Sequence, residues 1–283
     1  MQAAKPDRLS ALIRQFRIKA IVHPTGVKED GYVGDGRAPP NLFVVRSGEL
    51  RFSGPACEAM TCSGSKLVFF PRGMPSGMQA QPSSPDTEYL RATIDMGGEA
   101  NPIAQALPPL FHIPLGETAS LGAVADLLLE EALSPRCGGG AVIDRLCEVV
   151  VIRLLRHAIE AGQAEPGLLA GLAHPNLCLA IVAIHESPDR NWRLEDLAEV
   201  AGMSRTHFAN TFRKTVGVTP GEYLSGWRLT MARAEVAKGV PLKIIAGRVG
   251  FSGSAALSRA FSRRFGYSPR ADYKQGQRQP ATA

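Results

Sequence analysis

Apolar positions change their spacing twice along this chain. Between residues 16 and 115 they come in short runs separated by Gly, Pro, Ser and Asp clusters, as in Ile18–Val22, Leu42–Val45, Leu67–Phe70 and Tyr89–Asp95. Short apolar runs punctuated this way predict strands of an all-β sandwich or barrel. Arg46-Ser47-Gly48-Glu49 has the composition of a hairpin turn between Leu42–Val45 and Leu50–Phe52. Ahead of the strands, Asp7–Gln15 sets Leu9, Leu12 and Ile13 on one side of a short amphipathic helix.

From Ser120 the period becomes helical. Leu121, Val124, Leu127, Leu128 and Leu133 line one helix; after a break over Pro135–Gly140, Ile143, Leu146, Cys147, Val150 and Leu154 line a second. Glu165-Pro166-Gly167 interrupts the pattern again, and a run of shorter helices follows from His174-Pro175. Pro175–Ser187 carries Leu177, Ile181 and Ile184 on one face, and Arg193–Val200 carries Leu194, Leu197 and Ala198. Gly202 then suits a tight turn that needs a positive φ, and Ser204 suits the N-cap of a helix that buries Phe208 and Phe212 and stops at Gly217. Thr219-Pro220-Gly221-Glu222 is a capping box opening a long helix through Trp227 to Gly239. The unit then repeats: an apolar helix with Ile245 and Val249, a turn at Gly250-Phe251, Ser252 as N-cap, and a helix burying Leu257, Phe261 and Phe265 before Gly266.

Two helix-turn-helix units on one chain offer two helices for the major groove. The expected architecture is therefore α+β. Residues 1–115 form an N-terminal β-barrel, 116–170 a helical linker or dimerisation region, and 174–275 an all-α domain with both units.

Charge sharpens this reading. From Ile181 onward there are 16 Lys+Arg against 8 Asp+Glu, whereas the chain as a whole carries only +6. A positive balance confined to one domain points to a polyanion partner for that domain. A charged fraction of 20% with 45% hydrophobic residues excludes a disordered chain. The most apolar stretch, Ala141–Ile159, contains Asp144, Arg145, Glu148, Arg153 and Arg156, which excludes a membrane span there. Lys5, Asp7 and Arg8 interrupt any secretory core near the start. Five irregularly spaced cysteines fit a reducing, cytoplasmic setting.

Over about Asn176–Tyr273 the sequence resembles the AraC/XylS DNA-binding domain. The matching strings are Leu194-Glu-Asp-Leu-Ala198, Ala201-Gly-Met-Ser204, Phe212-Arg-Lys214, Gly217-Val-Thr-Pro220, Ile245-Ala246, Val249-Gly-Phe-Ser252, Ser258-Arg-Ala-Phe-Ser262, Arg264-Phe-Gly266 and Ser268-Pro269. The front resembles the cupin-type domain of many such regulators through Asp7-Arg-Leu-Ser-Ala-Leu-Ile13, Phe43-Val-Val-Arg-Ser-Gly-Glu-Leu50 and Leu67-Val-Phe-Phe-Pro-Arg-Gly-Met-Pro75. The resemblance implies a transcriptional regulator rather than an enzyme. It implies double-stranded DNA as partner, an effector-sensing N-terminal domain with any pocket inside the barrel, a possible homodimer, and RNA polymerase where the regulator is an activator.

On that basis Arg205, Thr206, His207, Asn210, Arg213 and Lys214 are the candidate DNA contacts of the first unit, and Ser254, Ala255, Ser258, Arg259 and Arg263 those of the second. Arg228 and Arg264 join Arg213, Lys214 and Arg263 as candidate phosphate contacts. Asn210 stands where many members have Arg, and Asn favours adenine where Arg favours guanine. Ala255 and Ala256 are small enough to meet a thymine methyl. The aromatic residues Phe208, Phe212, Trp227, Phe251 and Phe261 read as core.

Two other readings stay open at this point. Cys57 and Cys62, five apart, fit a redox pair, a ligand pair or a structural role; His23 precedes Pro24, and Thr25 stands where some relatives have a signalling Cys. A metal-dependent cupin enzyme fused to a DNA-binding domain needs a His-x-His pair, which the chain lacks, and Ser76 stands where a His often follows. No cofactor or metal is expected. His112, His157, His174 and His185 are isolated in sequence, and Cys137, Cys147 and Cys178 lie on or beside apolar helical faces.

Overall fold

The computed structural model describes residues 7–15, 18–23, 32–34, 40–55, 57–96, 101–134, 136–161 and 166–278. They fall into two compact units, one drawn from Met1–Gln15 and Glu165–Ala283 and the other from Phe16–Ala164. Helix α1 (Ser10–Gln15) therefore belongs with the C-terminal helices, although it comes first in the chain. Leu12 is fully buried there, and Arg8 Nη1 donates to the Leu172 carbonyl at 2.9 Å.

Among the described residues the other unit holds nine strands: β1 (Lys19–His23), β2 (Tyr32–Val33), β3 (Asn41–Ser47), β4 (Glu49–Gly54), β5 (Cys57–Ser63), β6 (Lys66–Phe70), β7 (Gln79–Pro82), β8 (Glu88–Asp95) and β9 (Phe111–Pro114). They form two antiparallel sheets, a five-stranded one in the order β1-β8-β3-β6-β9 and a four-stranded one in the order β2-β7-β4-β5. The runs read from sequence are β1, β3, β6 and β8. The turn at Gly48 is not a hairpin, however. Strand β3 pairs with β6 and β8, while β4 pairs with β5 and β7. The turn hands the chain from one sheet to the other. A second crossing lies beside it, where Gly64 N–H donates to the Gly48 carbonyl at 3.0 Å.

Phe43, Phe52 and Phe70 meet in the core of this unit, with Phe43 and Phe52 edge-to-face at 5.1 Å. Val45, Leu50, Cys62, Val68, Met74, Met78, Ala80 and Tyr89 complete that cluster. Such aromatic contacts add about 0.5–1.5 kcal/mol each beyond their area. The barrel-like interior is thus a packed apolar core.

Among the described residues three α-helices accompany the strands. In α2 (Pro102–Ala106) the Asn101 side chain caps the first turn by accepting from Ile103 N–H at 2.7 Å. Helices α3 (Ala119–Leu133) and α4 (Gly139–Ala161) pack on each other, and Asp144 Oδ1 on α4 accepts from the Ala20 N–H of β1 at 2.7 Å. The buried face of α3 is Leu121, Ala125, Leu128 and Leu129; Leu127 and Leu133, placed by sequence on the same apolar face, are exposed. Cys137 is also exposed rather than core-like, whereas Cys147 is buried and its thiol is pushed up to about 12, first by burial and then by Asp144.

Strand β5 carries both Cys57 and Cys62. Five residues of strand hold their Cα atoms roughly 15 Å apart, at about 3.3 Å per residue, and a disulfide needs less than about 7 Å. They are not an intrachain redox pair. Cys62 is buried, and desolvation raises its thiol pKa, with Lys66 opposing, so little of it is thiolate. Pro24 and Thr25 lie outside the described residues; His23 Nε2 is 2.9 Å from the Thr93 hydroxyl. Among the described residues no group of three His, Cys, Asp or Glu side chains is placed to hold a metal, and no helix is long and apolar enough to cross a membrane.

The C-terminal part of the first unit runs α5 (Leu168–Ala173), α6 (Leu177–Glu186), α7 (Leu194–Val200), α8 (Arg205–Val216), α9 (Pro220–Ala237), α10 (Leu242–Arg248), α11 (Ser254–Phe265) and α12 (Pro269–Arg278). Helices α5 and α12 were not legible from periodicity. His185 of α6 is sandwiched against α9: its ring stacks on Trp227 at 3.9 Å and its Nε2 meets the Tyr223 hydroxyl at 2.7 Å. Burial lowers the His185 pKa from 6.5 to about 3 and raises that of Tyr223.

Two predictions follow from this packing. Leu12→Ala should cost about 2–5 kcal/mol, and hydrogen exchange should locate the lost protection in residues 168–186 rather than in the strands. Loss confined to the strands would show that α1 is not a member of the helical unit. The second concerns acid. Folded His185 stays neutral, while the unfolded side chain takes a proton below pH 6.5, so the stabilisation is complete above that pH and is lost as pH falls toward 3. The slope approaches about 1.4 kcal/mol per pH unit. Both tryptophans, Trp192 and Trp227, lie in the helical unit, so urea titrations followed by tryptophan fluorescence between pH 7 and 5 read it directly. His185→Gln should flatten that dependence.

Candidate nucleic-acid interface

Each helix-turn-helix is built on one backbone closure. In the first unit Met203 N–H donates to the Ala198 carbonyl at 2.9 Å, and Gly202 sits at φ 62° between α7 and α8. In the second, Phe251 N–H donates to the Ala246 carbonyl at 2.8 Å, and Gly250 sits at φ 76° between α10 and α11. Leu197 and Ala201 of the first unit and Ile245 and Val249 of the second are buried against them.

Beyond the turn the repeat slips by one residue. Gly202 corresponds to Gly250, 48 positions on, but Phe208, Phe212 and Gly217 correspond to Leu257, Phe261 and Gly266, 49 positions on. The extra residue changes the cap. Ser204 Oγ accepts from His207 N–H at 3.4 Å, as expected, but the N-cap of α11 is Gly253, and it has no side-chain cap. Ser252 is not the cap. Both recognition-type helices end alike, at Gly217 (φ 85°) and Gly266 (φ 82°) in the left-handed region. The repeat then extends into a third helix, because Thr219-Pro220 opens α9 and Ser268-Pro269 opens α12. The Thr219–Glu222 box is closed by Thr219 N–H donating to Glu222 at 2.8 Å, and that bond holds the Glu222 carboxyl below its ordinary pKa.

Phe208 and Phe212 are fully buried with ring centroids 5.5 Å apart, and Phe261 is buried beside Phe265 at 4.6 Å. That inner face leaves the opposite face of each helix outward. Arg205, Thr206, His207, Asn210, Arg213 and Lys214 are all exposed on α8. Ser254, Ala255, Arg259 and Arg263 are exposed on α11, together with Arg264, while Ser258 is half-buried. In repeat register Thr206, Asn210 and Lys214 match Ala255, Arg259 and Arg263. Residues three, four and seven apart share one helical face, so each set is a stripe. Arg205 is tied to Glu195 of α7 at 2.9 Å, both well exposed, a pair of small energetic weight.

Two residues differ from their sequence reading. Arg228, a candidate phosphate contact, is half-buried and donates from Nε to the Pro188 carbonyl at 2.6 Å and from Nη2 to the Arg190 carbonyl at 2.9 Å. Burial lowers its pKa, with Asp189 opposing. His174 is not isolated. Its Nδ1 accepts from the N–H groups of Asn176 and Leu177, at 3.2 Å each, at the start of α6, and burial followed by the charge of His207 lowers its pKa. Nothing in the sequence pattern marks that proximity, since His174 and His207 stand on different elements.

Comparison with known proteins agrees with this geometry. Residues 7–160 match the Cupin family model, and residues 197–275 match the Helix-turn-helix domain model. A putative AraC-like transcription regulator of Streptomyces lividans is 36% identical over 176 residues, covering 60% of this chain. The chain spans 57% of that relative's length. The HTH-type transcriptional regulator AlkR of Acinetobacter baylyi is 30% identical over 280 residues, 94% of this chain and 88% of its own. The RCS-specific HTH-type transcriptional activator RclR of Escherichia coli is 28% identical over 250 residues, covering 85% of this chain and 87% of its own. With a cupin match over more than half its length, a duplicated helix-turn-helix, and AlkR 30% identical over 94% of the chain, the chain belongs to the AraC family of helix-turn-helix transcriptional regulators that carry a cupin-type N-terminal domain.

Proposed function

We propose that this chain is a sequence-specific regulator of transcription that lays α8 and α11 into successive major-groove segments of double-stranded DNA. The observation that carries the reading is the duplication: two helices of the same length, each with a phenylalanine inner face and an exposed polar or basic stripe at matching repeat positions. Asn210 and Arg259 occupy equivalent positions and differ in chemistry. Asn makes its best bidentate contact with adenine and Arg with guanine, so the two half-elements have different sequences. Arg213, Lys214, Arg263 and Arg264 near the helix ends supply phosphate contacts that fix register rather than sequence.

In this reading the cupin-type unit senses a small molecule that binds two states of the protein unequally and so shifts DNA occupancy. The core of Phe43, Phe52, Met74 and Met78 is apolar, so an effector bound within this unit would be hydrophobic. Leu127 of α3 and Val142 and Val149 of α4 are exposed apolar groups that pairing with a second copy would cover. RNA polymerase is the further partner where the regulator activates.

Selection of a site from random duplexes, followed by titration at several salt concentrations, tests the reading. If about six to eight phosphates are neutralised, log K should fall against log salt with a slope of about −5 to −7. Arg259→Ala should cost roughly 1–3 kcal/mol and relax preference at particular base pairs, whereas Arg263→Ala should weaken all sequences alike. A selected site bound less than about threefold better than random DNA, against the usual margin of about a thousandfold or more, would sink the proposal.

A further inference from the structure

The two turn glycines have the same backbone role and opposite surroundings. A Cβ on Gly202 would meet nothing closer than Asn176 Nδ2 at 3.9 Å. A Cβ on Gly250 would lie 2.8 Å from Arg228 Nη2, 2.8 Å from Asp189 Cα and 2.8 Å from the Asp189 carbonyl oxygen. Asp189 belongs to the turn after α6, in the first half of the domain, and Gly250 belongs to the turn of the second helix-turn-helix. Arg228 lies on α9, which joins them, and its guanidinium is fastened to the Pro188 and Arg190 carbonyls on either side of Asp189. The same segment is braced from within: Trp192 Nε1 donates to the Ser187 carbonyl at 2.8 Å, and the Arg190 guanidinium lies 4.0 Å from the Trp192 ring centroid.

The geometry points to Arg228 as a positioning residue that clamps the second helix-turn-helix against the first, so that Arg228, Gly250 and the Pro188–Arg190 turn together set the spacing between DNA half-elements that the protein accepts. This rests on the DNA-reading function proposed above. A guanidinium has donors in a fixed fork and serves two carbonyls at once, which a single ammonium does not reproduce in the same geometry. Gly250 completes the clamp because only a residue without Cβ lets the second turn close onto that fork. Without the clamp, α9 still connects the two halves, but their relative angle is free to vary. A linked pair of binding modules then loses effective concentration for its second contact.

The test uses the full chain with Cys57→Ser and Cys137→Ser, spin-labelled at Glu199→Cys on α7 and Lys243→Cys on α10, two exposed positions outside the recognition helices. Pulsed distance measurement should give one narrow distribution in this background and in Gly202→Ala. It should broaden in Arg228→Met, which keeps the aliphatic stem, and in Gly250→Ala, with partial narrowing in Arg228→Lys. In parallel, unlabelled proteins are titrated with a selected two-element site, with sites lengthened or shortened by one or two base pairs between the elements, and with a single element. Arg228→Met should lose about tenfold at the preferred spacing, flatten the spacing profile, and bind the single element within about twofold of the parent. A narrow, unshifted label distance in Arg228→Met overturns the inference. So does an equal loss at every spacing and on the single element, the signature of a phosphate contact. A parent protein with a narrow label distance and no preferred DNA site overturns the regulator reading instead, while the broadening in Arg228→Met still supports the clamp.

Discussion

The helical unit is organised by one element, α9, whose polar side chains point to its neighbours more than to solvent. Arg228 holds the turn after α6; Arg233 reaches Asp272 of α12 at 3.1 Å; Glu235 takes Arg248 of α10 at 2.9 Å; Tyr223 meets His185 of α6. A helix of 18 residues is a rod about 27 Å long at 1.5 Å per residue. A rod fixes distance along its axis but not rotation at its ends. These lateral bonds supply the missing constraint; the Arg228 and Arg233 contacts are charge-assisted and partly buried, the setting in which a hydrogen bond contributes about 1.5–3 kcal/mol, whereas the Arg248–Glu235 pair is exposed at Arg248 and weaker. His185 belongs to the same logic: a ring that stacks on Trp227 and must stay neutral in the core ties α6 to α9 without placing a charge between them.

The helical repeat was legible in the sequence because its signals are local. Glycines at turns, Ser and Thr caps, and phenylalanines four apart each act within one or two helical turns, so they survive without knowledge of tertiary contacts. The error over Ser252 came from the same source. A constant offset between the two units assigns Ser252 the role of Ser204, whereas the inserted residue hands it to Gly253. The shift is visible in the sequence itself, since Gly202 to Phe208 is six residues and Gly250 to Leu257 is seven. Helix α12 is not marked by the sequence pattern although Ser268-Pro269 repeats Thr219-Pro220, because Pro269, Ala271 and Tyr273 are the few apolar side chains in an otherwise polar segment.

The strand unit was legible in its elements and not in their pairing. β3, β6 and β8 are apolar enough to stand out, but whether neighbours in sequence pair or part at a corner is decided by contacts across the sheet. Gly48 shows this: its composition fits a hairpin, yet β3 and β4 pair with different strands, and a Cβ there would sit 2.7 Å from both Cα and Oγ1 of Thr87. That crowding comes from the loop before β8, remote in sequence. Helix α1 is the stronger case. Its amphipathic pattern predicts burial, yet nothing local says that Leu12 is buried within a unit otherwise made of residues beyond 165.

Charge composition identified the correct half of the molecule and overstated what is available to a polyanion. Of the cations beyond residue 180, Arg228 is bound to carbonyls, Arg233 to Asp272, and Lys238 and Arg248 to Glu235. Arg228 and Arg233, both partly buried, tie α9 to its neighbours, so neutralising them would alter the domain's shape before its affinity; Lys238 and Arg248 are 60% exposed and their pairs with Glu235 carry small weight. Arg213, Lys214, Arg259, Arg263 and Arg264 are different: they project exposed from the two helices whose inner faces are fixed by phenylalanine. The excess positive charge therefore falls into two groups, one engaged by partners on and around the joining helix and one exposed on the outward stripes. An account of DNA binding that counts lysines and arginines without their partners assigns the first group to the wrong task.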